Sequence, residues 1–360
     1  MPTPLRLPNT PASSAPGPKK TIAVSLPPGL IHLPGRHNLS TSTVHNLSHL
    51  GRAASARDIF EACCKSNDTA HHRIDPSHLS FFAAINASPV IPWHLPVGIK
   101  PSLPWHKAFL LVQISLCPAG ATPSNITAGA RKALAIEKRT VFNHLAVVLR
   151  CAADLFGCRA DAVGLAATLW LLRCLMSSVW DEPAKELLQV TGVGPKKAEA
   201  LVAAGVRTTR HFAELDSSHI ERLLKRQPPF GEALRRTMAQ FPRLTLALRQ
   251  CGWQRPIRRG TQTAIVEAIL NMENECTPRW RGRVLRLVLW GSTTDDEKNL
   301  AFFWRGSIVD ITKSRNKEQD NSQGLIVRFA VEAAAGQSLT CSLACEEVAG
   351  TLVKCAVALV

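Results

Sequence analysis

Leu187-Leu-Gln-Val-Thr-Gly-Val-Gly-Pro-Lys-Lys-Ala-Glu-Ala-Leu-Val-Ala-Ala-Gly-Val206 is the stretch on which the reading of this chain turns. It spells a helix, a hairpin and a second helix. Leu187, Leu188 and Val190 close one apolar face. Thr191-Gly192-Val193-Gly194 is a tight connection in which glycine tolerates a positive φ. Pro195 suits the first helical position, because the N–H it lacks would find no intrahelical partner there. Ala198, Leu201 and Val202 form the packing face of the second helix, and Gly205 is placed to end it just beyond the cap. Ser218-x-x-Glu221 has the spacing of a capping box for a further helix.

Upstream, apolar residues recur at three-four spacing. Residues 51–66 read as a helix, and residues 107–117 as a short buried one. Ala130–Phe156 is a long helical signal through Leu134, Val141, Leu145, Val148, Ala152 and Leu155. Arg159–Trp180 is apolar almost all round, which predicts the buried centre of a bundle. Downstream of Phe241-Pro242-Arg243 the period changes to alternation. Seven strand candidates follow: Leu244–Leu248, Ala264–Met272, Val284–Trp290, Ala301–Ile311, Gly324–Glu332, Ser338–Glu346 and Gly350–Val360. Seven short strands in this length suggest an immunoglobulin-like or fibronectin-III-like β-sandwich. Nine prolines in the first 34 positions predict a disordered Pro/Ser-rich extension. The expected class is α+β: extension 1–50, helical bundle 51–180, helix-hairpin-helix and following helices 181–243, seven-stranded sandwich 244–360.

The 360 residues carry 43 Lys and Arg against 27 Asp and Glu, a formal net charge of +16 that is spread along the whole chain. Such a balance favours a polyanionic partner. The longest uncharged apolar run, Ala162–Leu172, is too short to span a bilayer, and the N-terminus lacks the apolar run of a secretory signal, so no membrane partner is expected. Eleven cysteines, none in a Cys-x-x-Cys pair and most within apolar runs, read as buried free thiols in a reducing compartment rather than a metal site. No Gly-Lys step exists, so there is no Walker A loop, and no Asp-Glu-x-His box, nucleophile elbow or His-Glu-x-x-His motif is present. No catalytic constellation and no cofactor are therefore expected in this chain.

The candidate site is the hairpin. Backbone N–H groups of Gly192, Val193 and Gly194 at a helix N-terminus, with the positive end of the helix dipole, suit a phosphate. Lys196 and Lys197 would add charge, and Arg222, Lys225 and Arg226 read as one basic helical face just downstream. Such contacts would position DNA without specifying sequence. The same hairpin geometry also serves as a pure packing module, and the spacing leaves both roles open. A second basic run, Arg279, Arg281, Arg283 and Arg286, reads as a solvated sheet edge.

The order of segments resembles the Sec-sixty-three module found downstream of the motor in Ski-two-like superfamily-two helicases. Several stretches resemble one branch, the meiotic crossover DNA helicases. These are Ile85-Asn86 with Ser88-Pro89-Val90-Ile91-Pro92, His106-Lys107 opening the helix that follows, Gln227-Pro228-Pro229-Phe230-Gly231, and Phe241-Pro242-Arg243-Leu244. The resemblance runs from about Ala56 to Val360, and Pro-Pro-Phe-Gly after a helix-hairpin-helix is its most specific element. It implies a nuclear, DNA-associated role in homologous recombination, with branched or single-stranded DNA as partner and protein partners possible through the sandwich. In that family ATP and magnesium serve a 3′–5′ motor. This chain carries no motor motif, so it resembles a C-terminal fragment, a truncated gene product or a degenerate paralogue, and ATP hydrolysis does not carry over. From another class, a scaffold that binds proteins without touching nucleic acid also fits these segments.

Overall fold

The computed structural model describes residues 26–69, 72–118, 120–254, 262–293, 298–317, 324–334 and 336–360. Its first core is built around the two long helical signals. Helix α6 (Ala128–Cys158) starts where the Thr127 side chain accepts the Ala130 N–H, and α7 (Ala162–Ser177) where Asp161 accepts that of Gly164. The chain folds back between them so tightly that a Cβ on Gly164 would lie 2.4 Å from the Phe156 ring. Around this pair pack α1 (Leu33–His37), α2 (Thr41–Ser48), α3 (Ala56–Cys64), α4 (Leu79–Ala87) and α5 (Pro104–Leu116). Helix α6 is long and apolar enough to cross a membrane, although no such span was expected from the sequence; its C-terminal half is spent on the bundle core.

The expected disordered extension is corrected over residues 26–50. Ser40 caps α2 by accepting the Thr43 N–H, and Leu33, Val44 and Leu47 are fully buried in the bundle core. Residues 1–25, with the rest of that expectation, lie outside the described residues.

The helix-hairpin-helix unit and the strands share a second core. After a 3-10 turn at Lys185–Gln189 come α8 (Pro195–Ala203), α9 (Thr209–Ala213), α10 (Ser217–Leu224) and α11 (Phe230–Met238). The strands are β1 (Leu244–Gln254), β2 (Gln262–Met272), β3 (Arg286–Thr293), β4 (Phe302–Ser307), β5 (Leu325–Ala333), β6 (Ser338–Cys345) and β7 (Val353–Ala358). They form two antiparallel sheets, ordered β1-β2-β5 and β4-β3-β6-β7. Val266, Leu270, Phe329 and Val331 of one sheet face Leu287, Leu289, Cys341 and Leu343 of the other, and Leu187, Leu201, Phe212 and Leu234 join the same core. Strand order differs from the constant-type immunoglobulin arrangement in one strand: β4 pairs with β3, not with β5.

Two expectations in this region change. The segment Ala301–Ile311 is a strand only to Ser307; α12 (Ile308–Lys317) follows, with the Ser307 N–H bonded to Asp310 at 2.9 Å. Strand β3 does not simply alternate, because both of its faces are covered. Val288 and Trp290 leave the sandwich and enter the helical-bundle core together with Ala344. The polar seam there is ionic: Arg150 meets Glu346 at 2.8 Å, Arg305 meets Glu346 at 3.1 Å, and Asp154 takes both Arg305 and His37.

None of the eleven thiols is in a disulfide; Cys63, Cys64, Cys151, Cys174, Cys341 and Cys345 are buried, and burial pushes their pKa values up. Among the described residues no cluster of His, Cys, Asp or Glu could hold a metal ion.

Candidate nucleic-acid interface

The hairpin is held from beneath and open above. Gly192 sits at φ +92°, where a side chain would be strained and its Cβ would press on Leu234 at 3.3 Å. Val193 is buried and gives its N–H to Val190 O at 3.0 Å, so it anchors the turn instead of presenting a donor. Gly194 is the N-cap of α8, with Pro195 at the first helical position. A Cβ added at Gly194 would meet nothing within 4 Å. Among the described residues the Gly192 and Gly194 amides donate to no partner. Two donors thus stand near the positive end of α8 on exposed residues. At the other end of α8, Gly205 N–H returns to Val202 O and Val206 N–H to Leu201 O, the paired bonds of a Schellman cap.

The two lysines of the hairpin do different things. Lys196 is exposed, with no hydrogen bond or ion pair among the described residues. Lys197 turns back: its Nζ donates to Gly192 O at 2.6 Å and lies 4.3 Å from the centre of the Phe230 ring. Arg226 approaches the same ring at 5.9 Å. Phe230 is therefore the clamp between hairpin and downstream turn. Its place in Pro-Pro-Phe-Gly was the one signal in the sequence, but a lone aromatic in a turn does not say which cation it will meet.

The basic helical face of Arg222, Lys225 and Arg226 is corrected. Helix α10 ends at Leu224, and Lys225 is its cap at φ +49°, so the three residues do not share one helical face. Arg222 and Lys225 are exposed and without ion pairs among the described residues, whereas Arg226 is drawn to Phe230. The cap at the start of α10 also differs from the expected box. Asp216, not Ser218, accepts the His219 N–H at 2.7 Å, and this bond, with one from the Ser218 hydroxyl, holds the Asp216 carboxyl below its usual range. Glu221 instead takes the Gly231 N–H at 2.8 Å.

Behind the hairpin, the unit is tied to its neighbours by buried polar groups. Glu186 accepts the Thr209 N–H at 2.6 Å, and burial pushes its carboxyl up to about 7. Gln189 bonds both to Thr209 and to the Ala349 carbonyl. In the arginine run, Arg279, Arg281 and Arg283 lie in the loop before β3 and Arg286 opens β3 itself, an inner strand, so the run is not a sheet edge. Arg281 reaches the carbonyls of Ser177 and Gln189 at 3.2 and 2.7 Å.

Comparison with known proteins agrees with this geometry. The family of SAM-like helix-hairpin-helix tandems matches residues 184–227. The ATP-dependent DNA helicase MER3 of Saccharomyces cerevisiae is 24% identical over 218 residues, 59% of this chain but 18% of that protein. The MER3 homologue of Arabidopsis thaliana is 30% identical over 95 residues, 26% of this chain and 8% of the relative. A human protein described as a probable ATP-dependent DNA helicase, HFM1, is 25% identical over 119 residues, 33% and 8% of the two chains. The chain is therefore related to the MER3 and HFM1 DNA helicases and corresponds to a small part of their length, a part that carries a helix-hairpin-helix.

Proposed function

We propose that this chain is a non-catalytic DNA-binding module of a meiotic crossover helicase, of the Sec-sixty-three type, acting in the nucleus during homologous recombination. The hairpin holds a backbone phosphate between the Gly192 and Gly194 amides, and Lys196 adds charge. Arg222 and Lys225 extend the basic surface. Lys197 and Arg226 serve mainly to fix the turn through Phe230. No group at the hairpin reads base edges, so binding follows the sugar-phosphate backbone of single-stranded or branched DNA. ATP turnover belongs to the motor of the related helicases and is not assigned to these residues.

The observation that carries this reading is the pair of amides at the N-terminus of α8, unpartnered among the described residues, on exposed glycines and flanked by an exposed lysine. Gly194→Ala tests it. At φ −96° and with nothing near its Cβ, alanine fits the free protein. In a complex, the added methyl stands beside the donor that a phosphate would use. Weaker DNA binding with unchanged thermal stability supports the proposal. Unchanged binding makes the hairpin a packing element and favours a scaffold that meets proteins through the sandwich.

A further inference from the structure

Beside the hairpin, the first arginine of the 279–283 loop opens onto a cleft of about 280 Å³. Its lining comes from three elements: Thr191 at the start of the hairpin, Thr237 and Gln240 at the end of α11, and Arg279–Gly282. No carboxylate lines it. The larger cleft on the far side of Gln240 differs, for Glu214, Asp216 and Glu275 stand there among its arginines. An anion is therefore favoured in the first cleft and opposed in the second.

The loop is rigidly presented. Trp280 is 3% exposed, packed edge-on against Phe241 at 5.7 Å in the sandwich core. Arg281, at φ +52°, is tied to the carbonyls of Ser177 and Gln189. The Arg279 N–H is fixed by the Gln240 side-chain oxygen at 2.9 Å. That bond uses the acceptor of Gln240 and leaves its amide N–H groups as donors at the cleft. The Arg279 side chain is exposed, with no hydrogen bond or ion pair among the described residues. Arg279, Gln240 and Thr191, which between them carry a guanidinium, an amide and a hydroxyl, thus line one open space. Thr191 is the residue next to Gly192, and neighbouring Cα atoms are about 3.8 Å apart. The cleft therefore borders the hairpin directly.

We infer that this cleft is a second phosphate seat, taking the backbone phosphate adjacent to the one held at the hairpin, so that a DNA strand runs from α8 onto the Arg279 loop of the sandwich. The inference rests on the reading of the hairpin as a DNA contact, and the test separates the two. Full-length chain is titrated with a fluorescein-labelled single-stranded 20-mer over a salt series, as wild type, Arg279→Ala, Arg279→Lys, Lys196→Ala, Gly194→Ala and the Lys196/Arg279 double alanine variant. Removing one cation from a phosphate reduces the slope of log affinity against log salt by about one unit. Arg279→Ala is expected to flatten the slope by about one unit, Arg279→Lys to keep most of it, and the Lys196/Arg279 double alanine variant to flatten it by about two. A melting temperature equal to wild type shows that the fold is intact. Should Lys196→Ala flatten the slope while Arg279→Ala leaves it unchanged, the second seat is wrong and the hairpin contact stands. Should Arg279→Ala flatten it while Lys196→Ala and Gly194→Ala do not, the cleft binds DNA and the hairpin does not. If no variant changes the slope, both fail.

Discussion

Two glycine turns lie within the helix-hairpin-helix unit, and they are built for opposite purposes. At Gly194 the turn is open: its amide is unpartnered among the described residues and a methyl group would touch nothing. At Gly231 the turn is closed. Its amide is given to Glu221, and a Cβ would fall 2.1 Å from the Ser217 carbonyl oxygen. In sequence the two look alike, each a glycine close to proline at the start of a helix. In the fold, one glycine exists so that two helices can touch, while the other leaves donors facing outward. The lesson is that glycine in a motif marks a close approach, and only the surroundings say whether the approaching group is the protein's own backbone or a ligand.

The comparison can be broken first at Gly231. Gly231→Ala should cost about 3 kcal/mol, since α10 and α11 must separate to admit the methyl group. Urea unfolding measures it. A loss below about 1 kcal/mol would mean that the turn is not closed as described.

The buried anchor of the unit comes next. Glu186, at about 7, binds its proton more tightly folded than unfolded. Its contribution is therefore complete below the ordinary carboxylate pKa of 4.5 and is lost as pH rises through 7. Glu347, also pushed by burial to about 7, acts in the same sense. Stability should fall between about pH 5 and about pH 7.5 by on the order of 2 kcal/mol per group. Glu186→Gln should flatten that dependence. A urea midpoint that is constant over this range would contradict the assignment.

Gly192→Ala is smaller, about 1–2 kcal/mol, because the cost is that of a left-handed backbone for an alanine. The two lysines then sharpen the division between holding and presenting. Lys197→Ala should destabilise by about 1 kcal/mol, losing its bond to Gly192 O and its place over Phe230. Lys196→Ala should leave the midpoint within about 0.5 kcal/mol of wild type and act on DNA alone. Equal stability losses for both would remove the distinction.

Much of this fold was legible where one period dominates. The long apolar repeats of α6 and α7 and the alternation after Pro242 needed no tertiary information, and the Gly-Val-Gly-Pro hairpin announced itself. Failures came where short helices depend on what they pack against. Helices α1 and α2 are 5 and 8 residues long in a proline-rich stretch, tied down by buried Leu33, Val44 and Leu47 and by polar bonds of His37 to Asp154 and Thr43 to Asp68. The Ser40 cap was the visible cue. Helix α12 was hidden because its apolar residues continue the pattern of β4; Ser307-x-x-Asp310 marked its start. Ser218-x-x-Glu221 misled, because Asp216 lies nearer the helix start and Glu221 was claimed by Gly231. In the candidate site, the hairpin backbone was readable. The inward turn of Lys197 and the early end of α10 were not, since both depend on Phe230 and a left-handed cap at Lys225.

The most direct test of the central claim is the salt dependence of DNA binding by the Gly194→Ala/Lys196→Ala double variant, measured beside wild type on the same labelled single strand. The expected result is an unchanged melting temperature, weaker binding at every salt concentration, and a slope of log affinity against log salt flatter by about one unit. A variant that melts as wild type does and binds with the same affinity and the same slope would contradict it.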